Sequence, residues 1–139
     1  MTGKSAKQIA KLLNERNHLP NKIESHNICY ENYFYIVLNE KTDAEEVIAV
    51  ARAKCMSFFC YELKHVVVKE KYEGKGLGKL IISLVEKYVK KKNIPMLLAT
   101  TRSENTKMNG LFRKLGYESQ REFVNDGTKH PLILWRKDL

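Results

Sequence analysis

Apolar positions along this chain follow two spacings, one helical and one alternating, and the switches between them outline its elements. Ala6, Ile9, Ala10 and Leu13 recur at helical intervals behind Ser5-Ala6-Lys7-Gln8, whose Ser-x-x-Gln order has capping-box spacing. Residues 17–31, which include His18-Leu19-Pro20-Asn21, read as a loop with room for one short helix. Tyr33 to Leu38 and Val47 to Met56 are strands around a polar turn at 39–43, and Phe58 to Val68 is the next strand. Leu77, Leu80, Ile81, Leu84, Val85 and Tyr88 predict a strongly amphipathic helix that Asn93-Ile94-Pro95 ends. Met96 to Thr101 follows as a buried strand. Met108, Leu111, Phe112 and Leu115 then line one face of a helix stopped at Gly116. Tyr117 to Val124 and Pro131 to Trp135 complete the pattern as a hairpin across Asn125-Asp126-Gly127-Thr128. The order is helix, three strands, helix, strand, helix, two strands. It predicts a single α/β domain over residues 1–139, without internal repeats.

Composition narrows the class only a little. A chain of 139 residues, 43% hydrophobic and 29% charged, can build a core without disulfides or a metal. No apolar run approaches a membrane span, so no membrane association is expected. Cys29, Cys55 and Cys60 are odd in number and form no Cys-x-x-Cys pair, which suggests a reducing, cytoplasmic setting. The net charge of +9 is less ordinary, and Lys87, Lys90, Lys91 and Lys92 gather near the end of the central helix. A solvated helix face accounts for them, and so does attraction of an anionic cofactor, an acidic acceptor or nucleic acid. The chain lacks the interleaved aromatic and basic residues of a base-stacking platform, which ranks nucleic acid last.

The sharpest chemical signal is Gly74-Lys75-Gly76-Leu77-Gly78, placed between Val66-Val67-Val68 and the central helix. Alternate glycines let backbone N–H groups turn toward one point, and a helix start adds unpaired donors and a favourable dipole. Such a loop suits a phosphate or pyrophosphate, with Lys75 and Lys79 supplying charge. It is not a P-loop, because Glu73 stands at the first glycine position and Leu80 follows Lys79. Nor is it a dinucleotide fingerprint, because its glycines are spaced two and two.

Val66 to Tyr117 resembles the GNAT superfamily of acetyl-CoA-dependent N-acetyltransferases. The family loop Gln/Arg-x-x-Gly-x-Gly/Ala falls on Glu73-Gly74-Lys75-Gly76-Leu77-Gly78, with Glu73 as the departure. A second family block, Asn-x-x-Ala-x-x-Leu-Tyr-x-x-x-Gly-Phe, falls in register on Asn105, Met108, Leu111, Phe112, Leu115, Gly116 and Tyr117. The resemblance implies a mixed central sheet flanked by helices, with a splayed parallel strand pair formed by Phe58–Val68 and Met96–Thr101. The strand that usually opens the family fold is short or absent here. Acetyl-CoA is the implied cosubstrate, with no metal. Val66, Val67 and Val68 would bind the pantetheine arm, the main chain of Gly74 to Gly78 with Lys75 and Lys79 the pyrophosphate, and Asn105 the opposite side.

The same resemblance sets the expected chemistry, direct transfer to an amine acceptor in a ternary complex. Glu62 lies eleven residues before Glu73, where some members present a base, and alternation puts it on one face with Lys64. A plain ion pair with Lys64 explains Glu62 equally well. His65 has the opposite parity and reads as a core or surface histidine. Phe112 takes the cofactor-side position where many members carry a tyrosine acid, and it has no proton to give. Tyr117 reads as a packed aromatic. Residues 17–34 and 124–130, with Glu24, Tyr30, Glu31, Tyr33 and Asp126, are expected at the acceptor site. A module that binds acyl-CoA but transfers slowly, as a sensor or partner, is the alternative function. Monomer and homodimer both remain open.

Overall fold

A computed structural model describes residues 3–16, 22–28, 33–39, 45–124 and 130–139. Its elements are α1 (Gly3–Arg16), β1 (Tyr33–Asn39), β2 (Glu45–Ser57), β3 (Cys60–Val68), α2 (Leu77–Lys91), β4 (Met96–Arg102), α3 (Thr106–Lys114), β5 (Glu118–Phe123) and β6 (Leu132–Asp138). Short 3₁₀ turns cover Ser25–Asn27 and Glu70–Tyr72. The strands form one six-stranded mixed sheet in the order β1-β2-β3-β4-β6-β5, with β3 and β4 its parallel pair. Among the described residues no strand precedes α1. The expected turns at 39–43 and 125–128 lie almost wholly outside the described residues.

Contacts divide the chain into two units, Met1–Ala53 with His65–Val85, and Lys54–Lys64 with Glu86–Leu139. In the first, Ile9, Leu12 and Leu13 of α1 join Tyr33, Val47, Val50 and Val67 in one apolar core. The helix begins at Gly3, so Ser5 sits inside it, buried, and the expected capping box is not its start. Gln8 does other work: its Oε1 accepts from Val47 N at 2.8 Å and its Nε2 donates to Glu45 O at 3.0 Å. Two backbone groups at the start of β2 are thereby satisfied by a side chain from α1. Tyr33, expected at a polar rim, is only 6% exposed in this core.

Trp135, Phe112 and Tyr117 organise the second unit. The Phe112 ring stacks on Trp135 at 5.9 Å and meets Tyr117 edge-on at 4.8 Å. Beside them runs a satisfied polar chain: Trp135 Nε1 donates to Thr101 Oγ1 at 2.8 Å, and Thr101 donates to Asn109 Oδ1. Asn109 Nδ2 in turn serves the carbonyls of Arg102 and Ser103 at 3.3 and 3.1 Å. The hydroxyl of Tyr117 donates to Glu86 at 2.9 Å, and Lys137 holds the other Glu86 oxygen at 3.0 Å.

Both long helices of the sequence reading end as expected. At α2, Asn93 takes a left-handed φ of 59°, with Asn93 N bonded to Lys90 O and Ile94 N to Val89 O. At α3, Gly116 has φ 85°, with Gly116 N bonded to Arg113 O and Tyr117 N to Phe112 O. Both are Schellman closures.

β3 departs from expectation twice. It begins at Cys60, because Phe58 forms the turn and is 88% exposed. His65 then has φ 53°, a left-handed conformation inside a strand. Cys60, Leu63 and Val67 are the buried positions of this strand. The parallel ladder pairs Cys60–Leu63 with Met96–Ala99 and stops, although β3 runs on to Val68 and β4 to Arg102. A ladder that ends while its strands continue is what the expected splayed pair requires.

Burial, reinforced by the Glu86 carboxylate, pushes the Tyr117 hydroxyl well above its ordinary 10.0. A neutral group favoured by the fold stabilises fully below the unfolded value and loses that contribution as pH rises past about 10. Of the seven tyrosines, Tyr117 should therefore ionise only as the chain unfolds in alkali. An ultraviolet titration alongside circular dichroism checks this, and Tyr117→Phe should remove that unfolding-linked phase.

Candidate active site

The glycine loop belongs wholly to the first unit. Val67 is buried in the core there, while Val66 and Val68 are partly covered. Lys69 N then bonds Ile48 O of β2 at 2.8 Å. Below the turn, Lys69 Nζ donates to Glu46 Oε1 and Tyr72 Oη to Glu46 Oε2 at 3.0 Å. These bonds, that of Lys69 foremost, hold the Glu46 carboxyl below the usual range. The 3₁₀ turn closes with Glu73 N on Glu70 O at 3.2 Å.

The loop's backbone does what the glycine spacing anticipates. Gly74 and Gly76 have φ of 76° and 79°, a region that residues with a Cβ enter at a cost of roughly 1–2 kcal/mol. A Cβ at either glycine would meet nothing within 4 Å, so it is the backbone conformation that calls for glycine there. Leu80 N bonds Gly76 O at 3.0 Å and starts the helical ladder. The amides of Leu77, Gly78 and Lys79 therefore have no intrahelical acceptor. The first turn of α2 carries no acidic side chain, so its positive end is uncompensated from within the helix. Lys75 Nζ lies 5.5 Å from the Tyr72 ring centre, and Lys79 is exposed. Left-handed glycines, amides without a helical acceptor and two lysines thus follow one another over residues 74–79.

Glu62, Asn105 and Phe112 lie in the second unit. Glu62 has a side chain only 18% exposed, 3.9 Å from Lys64 Nζ, and pairs across the ladder with Leu98. Burial, and after it the Glu62 carboxylate, raises the Cys60 thiol above its usual range. Asn105 is the N-cap of α3, with Oδ1 accepting from Met108 N at 3.2 Å. Phe112 is 2% exposed in the aromatic core described above. Of the residues expected to meet the acceptor, Tyr30, Glu31 and Asp126 lie outside the described residues, and Glu24 is exposed. Among the described residues no group of three or more His, Cys, Asp or Glu side chains is placed to hold a metal ion.

Two features had no signal in the sequence. His65 sits at the break in β3, its ring stacked 6.2 Å from Tyr33 and its Nδ1 3.3 Å from the Tyr33 hydroxyl. Arg16, at the end of α1, reaches Glu73 and Glu70. Its partner Glu73 lies 57 positions away, beyond any local pattern.

The Acetyltransferase (GNAT) family pattern matches residues 7–117, and the chain belongs to that family. It is 34% identical over 73 residues to the uncharacterized protein YyaT of Bacillus subtilis (strain 168), covering 52% of this chain and 47% of that protein. The chain spans about half the length of the curated relatives it matches. Among solved structures, the ribosomal-protein-S18-alanine N-acetyltransferase from Escherichia coli superposes with a TM-score of 0.74 at 13% identity, covering 99% of this chain and 90% of that one. A GNAT family acetyltransferase from Elizabethkingia anophelis with acetyl-CoA bound gives 0.60 at 20% identity, covering 72% of each chain. At such identities the structures share the fold alone.

Asn105 allows its capping role to be separated from any other. Asn105→Ala should cost about 1 kcal/mol by removing the acceptor of the Met108 amide, whereas Asn105→Asp should keep it. Urea unfolding of both variants beside the wild type checks the difference.

Proposed function

We propose that this chain is a single acyltransferase domain that moves the acetyl group of acetyl-CoA to a primary amine in one direct step. The observation that carries the reading is the glycine loop, with left-handed Gly74 and Gly76 and the spare amides of Leu77 to Lys79. A pyrophosphate needs several donors, and in this reading the main chain would supply them without a dedicated side chain. Val66 to Val68, just upstream, would hold the pantetheine arm by backbone bonds.

In the reaction the amine nitrogen bonds to the thioester carbonyl carbon, the carbon–sulfur bond breaks, and CoA leaves as thiolate. A free alkylammonium has a pKa of about 10, so the attacking nitrogen must lose a proton. Glu62 is the proposed acceptor of that proton, from a largely covered site beside Lys64. A covalent acetyl-cysteine route finds no support at Cys60, whose raised thiol disfavours the thiolate that such a route needs. The acceptor is an amine, of a small molecule or of a protein.

One observation favours a second reading, a binder of acyl-CoA with little turnover. Phe112 offers no hydroxyl where a thiolate would be protonated, and the ring is committed to the core.

Two measurements test these proposals. In Gly76→Ala the new Cβ has space but a disfavoured φ, so folding should weaken by only about 1 kcal/mol. Acetyl-CoA affinity by calorimetry should fall tenfold or more, as it should in Gly76→Pro, which also lacks an amide proton. Unchanged affinity in both would remove the loop from the site. Thiol release with pooled polyamines, aminoglycosides, amino acids, peptides and a basic protein should respond to one pool. Glu62→Gln should lower kcat by roughly 10²–10⁴ without changing acetyl-CoA affinity. Binding without release from any pool would favour the second reading.

A further inference from the structure

We propose that Arg16 is a positioning residue of the cofactor site, acting through Glu73, and this inference rests on the acetyl-CoA reading above. Glu73 directly precedes Gly74, so it places a carboxylate one residue from the backbone that would receive a pyrophosphate. Glu70 stands three residues earlier in the same turn. Two carboxylates beside a phosphate cradle oppose its purpose, since like charges at such range repel across a partly covered surface.

Arg16 answers both. Its Nη2 bonds Glu73 Oε1, and its Nη1 lies 3.7 Å from Glu70 Oε2. The pair is not a loose surface contact: the Arg16 and Glu73 side chains are 34% and 29% exposed, while Glu70 is open to solvent. One guanidinium, fixed at the last residue of α1, thus cancels the carboxylate nearest Gly74 and ties the loop to a helix whose apolar face is buried. On the other side of the same turn, Glu46 is bonded by both Lys69 and Tyr72. Each carboxylate near the loop other than exposed Glu70 is engaged at close range, which leaves Lys75 and Lys79 to set the local field. Cations at the C-terminal end of α1 also suit its dipole, so the arginine is placed there at little cost.

This arrangement predicts a charge-specific dependence that a merely architectural pair would lack. Acetyl-CoA binding would be measured by calorimetry for the wild type, Arg16→Gln, Glu73→Gln and the double variant, with thermal melts of each. Arg16→Gln should weaken acetyl-CoA roughly tenfold, because Glu73 then faces the phosphates uncancelled. Adding Glu73→Gln should restore affinity to within about threefold of wild type, although the ion pair is still missing. Glu73→Gln alone should bind as tightly as wild type or more tightly, and it decides the matter if Arg16→Gln does not fold. Equal affinity in Arg16→Gln, no rescue in the double variant, or a tenfold loss in Glu73→Gln would each overturn the role of Arg16. Wild-type protein that fails to bind acetyl-CoA would overturn the cofactor reading and this inference together. Binding that is intact and indifferent to Arg16 would overturn the inference alone.

Discussion

β3 runs to Val68 with a left-handed residue, His65, inside it, and the contacts that hold this residue tie the strand to β1. His65 occupies a left-handed conformation that costs a residue with a Cβ roughly 1–2 kcal/mol. The cost is offset where the ring stacks on Tyr33 and Nδ1 meets its hydroxyl, and the Arg52 guanidinium also lies over the Tyr33 ring, 5.5 Å from its centre. Burial outweighs Arg52 and raises the Tyr33 hydroxyl, so Tyr33 stays neutral and able to hydrogen-bond. Two residues on, Val67 enters the core of the first unit. From there Lys69 N bonds Ile48 O, Tyr72 reaches Glu46, and the chain runs into the glycine loop.

The parts legible in the sequence were those governed by local rules. α2 and α3 are amphipathic over several turns, and each ends on a residue suited to a left-handed φ, Asn93 and Gly116. The glycine loop was legible because glycine at a positive φ leaves a visible spacing. The break at His65 was not, since neither a glycine nor an asparagine marks it and Val66-Val67-Val68 reads as uninterrupted strand. Ser5 and Gln8 had capping-box spacing, yet Gln8 is spent on β2, a partner 39 positions away that no local pattern encodes. Phe58 looked like a strand residue by composition and lies in the turn instead.

The candidate site was legible to an uneven degree for the same reason. Gly74 to Lys79 could be read from spacing alone, because backbone donors need only the right φ and a helix start. Glu62 could be proposed only through the family resemblance, whereas its company with Lys64 follows from alternation within the strand. Phe112 is fixed by aromatic packing with Trp135 and Tyr117, residues that meet only through pairing of β4 and β6 and the closure of α3. Asn105 has a structural duty as an N-cap whatever else it contacts.

Net charge is a poor guide to how this chain would hold an anion. Its +9 is spread over many lysines, and exposed charges are screened within about 10 Å at ordinary salt. Backbone amides at a helix start are different, because they are held in place and need no side-chain ordering to receive a phosphate. That division of labour explains why a carboxylate is tolerated at Glu73, directly before the cradle. The donors that matter belong to the main chain, so the side chain at 73 need only be prevented from repelling the ligand. Arg16 meets that requirement from a helix distant in sequence. The pair also makes the loop dependent on α1, so a change at the helix end would reach the phosphate site without altering any residue of the glycine motif.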